Sequence, residues 1–369
     1  MTYYMIWFAA IVAGGFFVAL VSRMTPMRRL NPFHELLPNP LGFVLVAAAF
    51  GVFSGLRINI GDTTSYVLSY RMIDINEIEP IPFMIRGNSM YPWLSYICHL
   101  RSEEPYMLIM ITALIAVVPT VYIVYKYSAM YDVGIALFVL TGYYTFSMNG
   151  IRQYAAAGIL ILGTKYLFSD KKTDFFKFLI FVFFAWLFHS SALIMIVIYF
   201  AARRRAWTPL TVLLLVGTVF VTVIFNTILP TFLNILEDTD YSMYADNGWF
   251  TSGTQEGSNF IRVVVLIIPL VMAFMERRYM SAVYGKKWDI LVNLSLINLS
   301  FYILSLYNWL FARLAIYTSV YVIVMMTYVI TRGENRERKQ WLYPVSIIMY
   351  IVYFVMIKYS IVGYESELF

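Results

Sequence analysis

The stretch DFFKFLIFVFFAWLFHSSALIMIVIYF, residues 174–200, decides the fold. As one helix it would be about 40 Å long at roughly 1.5 Å per residue, against a hydrocarbon core of roughly 30 Å. It reads either as one long tilted span or as two short segments meeting near Phe188-His189-Ser190-Ser191. Lys and Arg gather on the cytoplasmic side of membrane proteins, so the choice fixes the side of every later loop. The basic clusters are Arg23/Arg28/Arg29, Lys171/Lys172, Arg203/Arg204/Arg205, Arg277/Arg278 with Lys286/Lys287, and Arg332/Arg336/Arg338/Lys339. A single span at 174–200 sends Arg203–Arg205 and both later clusters outside. A broken pair keeps all five clusters inside and the N-terminus outside. Half-segments of this kind are tolerated where they pack in protein or line a cavity. The charge pattern therefore predicts the broken pair.

Working outward, the chain has 369 residues, 61% hydrophobic and only 13% charged. Apolar blocks recur along it, each long enough to cross a bilayer as a helix. Only helices and closed barrels satisfy their backbone in lipid, and the blocks lack the alternation of a barrel strand. The expected fold is an all-α polytopic transmembrane bundle. Its segments fall at about 3–22, 41–57, 105–126, 130–148, 151–168, 174–188, 189–201, 207–228, 259–276, 289–306, 311–331 and 342–358. Residues 3–21 lack the basic start and cleavage site of a secretory signal and read as a retained span. No repeat and no composition shift marks a boundary, so the expectation is one integral membrane domain over 1–369.

With this topology most Lys and Arg lie inside and most Asp and Glu outside. Two outer loops are long, about 57–105 and 230–259. The first holds Pro80, Pro82, Pro92 and Trp93 among tyrosines and is expected to fold back on the membrane as short interfacial helices. The second, rich in Gly, Asn and Asp, reads as a flap. The single cysteine, Cys98, excludes an internal disulfide and a cysteine metal cluster. A net charge of +6 in such a chain marks cytoplasmic loops, not nucleic acid. No phosphate-binding lysine loop, HExxH, GxSxG or Cys/His metal spacing is present. No metal and no cofactor is expected.

The unusual polar residues fall on the outer side. Arg57-Ile-Asn-Ile-Gly61-Asp62-Thr-Thr-Ser-Tyr66 ends the second span. Gly61 permits a turn other residues resist, and Arg57 with Asp62 offers an anion ligand and a carboxylate. The plainer reading is a snorkelling arginine and a helix cap. Asn149-Gly-Ile-Arg152-Gln153-Tyr154 opens a later span, and Ala155, Ala156, Ala157 and Gly158 follow. Those small residues allow a neighbouring helix close, while Arg152 carries a permanent fork suited to phosphate. His189 is either a core histidine bonded to a serine or a backbone carbonyl, or a general base or phosphate donor at the break. Arg313 and Tyr317 share a helix face by their spacing, and Arg262 opens the span after the flap. Four arginines, 57, 152, 262 and 313, at one depth need anionic partners. Outer carboxylates or a bound diphosphate would serve.

The order of these residues resembles the EpsG-like family, which belongs with the Wzy-type polymerases of bacterial exopolysaccharide. The matching residues are Gly61, Asp62 and Tyr66; Asn149, Arg152, Gln153 and Ala156; His189, Ser190, Ser191 and Ala192; and Arg313 and Tyr317. The resemblance implies an enzyme that joins undecaprenyl-diphosphate-linked oligosaccharide repeat units on the outer face of the bacterial cytoplasmic membrane. The leaving diphosphate is a polyanion, so arginines that clamp it lower the barrier. The expected diphosphate ligands are Arg152 and Arg313, helped by Arg57 and Arg262. His189 or Asp62 would take the acceptor proton, with His189 slightly favoured. Tyr66, Tyr317, Trp93 and Gln153 would meet sugars. Membrane lipid, a chain-length regulator and a flippase are the expected partners. Two other readings compete: a transporter of lipid-linked or anionic solutes, which should show related halves and midplane charges, and an acyltransferase using His189.

Overall fold

The structure is a computed structural model that describes residues 2–73, 84–237 and 260–357. Those residues are helical throughout, apart from loops and one isolated bridge between Leu30 and Leu36. The chain divides into two compact units, residues 1–200 with 323–369, and residues 201–322. No composition shift in the sequence marks either junction.

The first unit begins with α1 (Thr2–Met24) and α2 (Pro40–Gly55). Asn39 starts α2 by accepting the N–H of Leu41, with Pro40 in the first helical position, where a missing N–H costs nothing. Two short helices follow, α3 (Thr63–Arg71) and α4 (Met90–His99). They fall within the first long loop, where short helices were expected. Pro80 and Pro82 lie outside the described residues. The unit continues with α5 (Tyr106–Tyr127), α6 (Tyr131–Leu140), α7 (Tyr143–Phe146), α8 (Ile151–Ile161) and α9 (Thr164–Leu167). The expected span 130–148 is thus two helices, because Gly142 turns the backbone with φ of 81°.

Without a hydrophobic drive between helices in lipid, close backbone approach decides packing. The small-residue run of α8 shows this. Ala155, Ala156 and Ala157 are fully buried, and a Cβ on Gly158 would sit 2.0 Å from the Ile115 carbonyl of α5. The opposite faces carry large apolar side chains, among them Phe17, Leu41, Phe176 and Val197, which are exposed and suit hydrocarbon.

The stretch 174–200 is a broken pair. Helix α10 (Asp174–Phe188) stops at His189, whose backbone is extended at φ −155° and ψ 121°. A 3-10 turn (Ser190–Leu193) leads into α11 (Ile194–Ala202). Phe175, at the start of α10, packs on Tyr199 and Phe200, at the end of α11, with ring centroids 5.1 and 4.9 Å apart. The two segments are therefore antiparallel, and the chain returns to the end from which it came. At about 22 Å, α10 is too short to cross alone. This is the topology that the five basic clusters require.

The end of this unit opposite the break is tied by ion pairs. Arg23 binds Asp132 through 2.5 and 3.2 Å contacts, and Arg332 binds Glu35 through 2.9 and 2.8 Å contacts. Bidentate pairs of this kind are the strong ones. Phe33, 1% exposed, wedges between Phe168 and Tyr328 beside them.

The second unit holds α12 (Pro209–Glu237), α13 (Phe260–Met275), α14 (Arg277–Tyr284) and α15 (Lys286–Leu304). Helix α12 runs past the expected end at 228 and through Pro230. Of the expected flap, 230–259, residues 230–237 are helical and 238–259 lie outside the described residues. The basic cluster at 277–287 is partly helical, which apolar periodicity did not reveal. Helix α15 is the centre of the unit, with Ile290 to Ser300 buried all round. Two more described helices follow, α16 (Leu310–Thr331), which runs from the second unit into the first, and α17 (Arg336–Met356), which belongs to the first. Among the described residues, four helices are long and apolar enough to cross a membrane, and five shorter apolar ones accompany them.

Candidate functional site

The first unit gathers three of the polar motifs at one end. Arg57, at the end of α2, is 1% exposed. Its Nε donates to the Met148 carbonyl at 3.0 Å and to Thr63 Oγ1 at 3.1 Å, and its Nη1 donates to Ser54 Oγ and to the Ser54 carbonyl. A buried cation is tolerated only when its protons are met in this way. Arg57 therefore knits α2, the start of α3 and the turn before α8.

That turn is locked to the Gly61-Asp62 corner. Asn149 Oδ1 accepts the backbone N–H groups of Asp62 and Gly150, each at 2.9 Å. Gly61 has φ of 55°, and a Cβ there would lie 2.6 Å from Asn149 Cγ, so the corner needs glycine on both counts. Asp62 begins α3, yet its side chain makes no capping bond to that helix. Asp62 is half-exposed.

Arg152 opens α8 beside this corner. Its guanidinium carbon lies 6.0 Å from the Tyr66 ring of α3 and 5.9 Å from the Tyr91 ring of α4. The two rings are 5.2 Å apart, so the cation sits against a pair of tyrosine faces, a favourable setting for a guanidinium. Burial, then neighbouring Tyr66, pushes the Tyr91 hydroxyl well above its usual range, which keeps Tyr91 neutral. Arg152 Nε is buried and meets no hydrogen-bond partner among the described residues. Tyr70, Tyr91, Cys98, Leu108, Ile109 and Ile151 form the apolar floor beneath.

The break in α10 joins the same end. Gln153, next to Arg152 and 3% exposed, donates from Nε2 to Ser191 Oγ at 3.3 Å. Ser191 Oγ lies 2.8 Å from His189 Nδ1, and the Ser191 backbone N–H donates to that nitrogen. A backbone N–H can only donate, so Nδ1 is the acceptor and the neutral imidazole carries its proton on Nε2. Arg152 and His189 are thus linked through Gln153 and Ser191, and this imidazole presents a donor, not a lone pair. Asn88, in the loop before α4, reaches the break as well. Its Nδ2 donates to Ser190 Oγ at 2.6 Å, and its Oδ1 accepts the Ser190 N–H at 2.9 Å. Sequence reasoning missed Asn88, since nothing local in Arg86-Gly87-Asn88-Ser89 points to residues a hundred positions away. Trp93 lies on α4, half-exposed.

Arg262 and Arg313 belong to the second unit. Arg262, in the first turn of α13, lies over the Tyr302 ring at 5.3 Å, and Arg313, in α16, over Trp309 at 4.7 Å. Asn308 Oδ1 accepts the Leu310 N–H and so starts α16. Tyr317 is fully buried, which leaves no ring face for a sugar. Among the described residues no three His, Cys, Asp or Glu side chains cluster as a metal site needs.

A protein-family model described as the EpsG family matches residues 41–368 of the chain. No curated protein and no solved structure matches it.

Proposed function

The chain belongs to the EpsG family, and from that premise we propose that it is a membrane polysaccharide polymerase acting on lipid-diphosphate-linked oligosaccharides at the outer face of the bacterial cytoplasmic membrane. The observation that carries the reading is Arg152. A guanidinium held on two tyrosine rings, with its Nε unmet among the described residues, is arranged for an anion that arrives from outside the protein. A diphosphate fits its planar fork.

In the reaction proposed, an acceptor sugar hydroxyl attacks the anomeric carbon of the donor. The bond from that carbon to the diphosphate breaks, and the lipid diphosphate leaves with the electron pair. Arg152 meets the charge that develops on it. His189, with its proton on Nε2, donates to a phosphate or sugar oxygen. Asp62, a carboxylate at the Gly61 corner, takes the acceptor proton. This reverses the slight preference for His189 as base, because Nδ1 is engaged by the Ser191 N–H. Arg57 acts as a positioning residue, since its donors face Met148, Thr63 and Ser54. Arg262 and Arg313, each set over a ring of the second unit, are given no part in this step. Tyr66 and Trp93 line the sugar path, while Tyr317 and Gln153, both buried, do not; Gln153 instead holds Ser191.

The test is reconstitution. Purified protein in liposomes, given an undecaprenyl-diphosphate-linked oligosaccharide, should yield a ladder of longer products. Movement of the intact lipid-linked unit between leaflets with no ladder would favour a transporter, which also uses broken helices.

A further inference from the structure

We infer that Asn88 is the wedge that breaks the helix at His189, and that it is a positioning residue for that imidazole. In an uninterrupted helix the Ser190 N–H would donate to the Trp186 carbonyl, four residues back. The last helical bond of α10 is His189 N–H to the Ala185 carbonyl, at 2.9 Å. At the next step Asn88 takes both halves of the missing pair. Its backbone N–H donates to the Trp186 carbonyl at 3.3 Å, and its side-chain Oδ1 accepts the Ser190 N–H at 2.9 Å. Its Nδ2 then holds Ser190 Oγ at 2.6 Å. Insertion of an outside group into the ladder is one of the few physical causes of a sharp break.

Two further facts fit a built wedge. Asn88 has φ of 65°, a conformation asparagine tolerates better than most residues. Gly87 lets the loop close in, since a Cβ there would meet Trp186 Nε1 at 2.8 Å and Ser190 Oγ at 2.9 Å. With the ladder opened, His189 is free of helical geometry and turns its Nδ1 to the Ser191 N–H. A residue of the outer loop thereby sets the orientation of a residue in the re-entrant hairpin.

The importance of that orientation rests on the role proposed for His189, so the experiment reads the two apart. The chain has three histidines, 34, 99 and 189, and the full-length protein labelled with nitrogen-15 histidine gives a spectrum in which His189 is assigned by His189→Gln. Asn88→Ala should abolish the signature of an acceptor Nδ1 at His189 and leave His34 and His99 unmoved. Product formation should fall about a hundredfold, the cost of displacing a reacting group by ~1 Å. Asn88→Asp, which keeps the acceptor for the Ser190 N–H, should restore the His189 signal. If Asn88→Ala fails to insert, Asn88→Gly, which accepts the positive φ, makes the same deletion. An unchanged His189 signal, or equal change at all three histidines, overturns the wedge. A shift confined to His189 with full product formation upholds the wedge and removes His189 from the mechanism.

Discussion

Asn149 Oδ1 accepts the backbone N–H of Asp62 at 2.9 Å, so two motifs 87 positions apart in sequence are a single corner. One supplies the glycine turn and the carboxylate, and the other supplies the turn before α8 and Arg152. The bond means that Asp62 and Arg152 are placed by the same piece of backbone.

The corner can be tested by a double-mutant cycle. Asn149→Ala should cost about 1 kcal/mol or less in stability, because water reaches both N–H groups it leaves. Gly61→Ala should cost more, about 1–2 kcal/mol from its left-handed backbone alone, with the 2.6 Å approach to Asn149 added. Removing Asn149 relieves that clash, so the double variant should lose less than the sum. Additive losses in thermal unfolding of the detergent-solubilised protein would sink the proposed interlock.

Arg152→Ala should lower polymerisation by about a hundred- to a thousandfold, the usual effect of deleting a preorganised donor to developing charge. Arg152→Lys keeps the charge but loses the fork and the ring stacking, and should recover only part of the rate. Membrane insertion and the amount of protein should match the parent. Polymer of full length from Arg152→Ala would leave the anion site without a role.

Asp62 and His189 should separate by type of loss. Asp62→Asn removes a base while keeping the shape, and should cost about a hundred- to ten-thousandfold in turnover. His189→Asn keeps a side-chain acceptor for the Ser191 N–H and so preserves the 3-10 turn; its loss should be smaller. Comparison of turnover with substrate affinity for each variant checks the assignment. A larger defect in His189→Asn than in Asp62→Asn would return the base role to the imidazole.

Sidedness is open to chemical mapping. Cys98 is buried and is the chain's only cysteine, so Cys98→Ser gives a silent background. Cysteines placed at exposed Lys172 and Arg204 should both react from the cytoplasmic side, since α10 and α11 form a hairpin between them. A cysteine at exposed Thr64 should react from outside. Opposite-side labelling of positions 172 and 204 contradicts the hairpin.

The sequence by itself determined that the chain is a helical membrane protein, because apolar length and the sparseness of charge are properties of composition. It also favoured two segments over 174–200, because the five basic clusters share one side only if the chain turns back there, and the break at His189 bears that out. What only the tertiary structure decided is how each polar residue uses its atoms. Arg57 and Arg152 look alike in sequence, yet one spends its donors on Met148, Thr63 and Ser54 while the other keeps Nε unmet among the described residues. Tyr317 was read as a sugar platform from its spacing to Arg313, and its complete burial comes from packing that spacing does not encode. Asn88 carried no local signal, because its partners Trp186 and Ser190 lie about a hundred residues on. Hydrogen bonds are made between atoms brought within about 3 Å, and only the folded chain sets those distances.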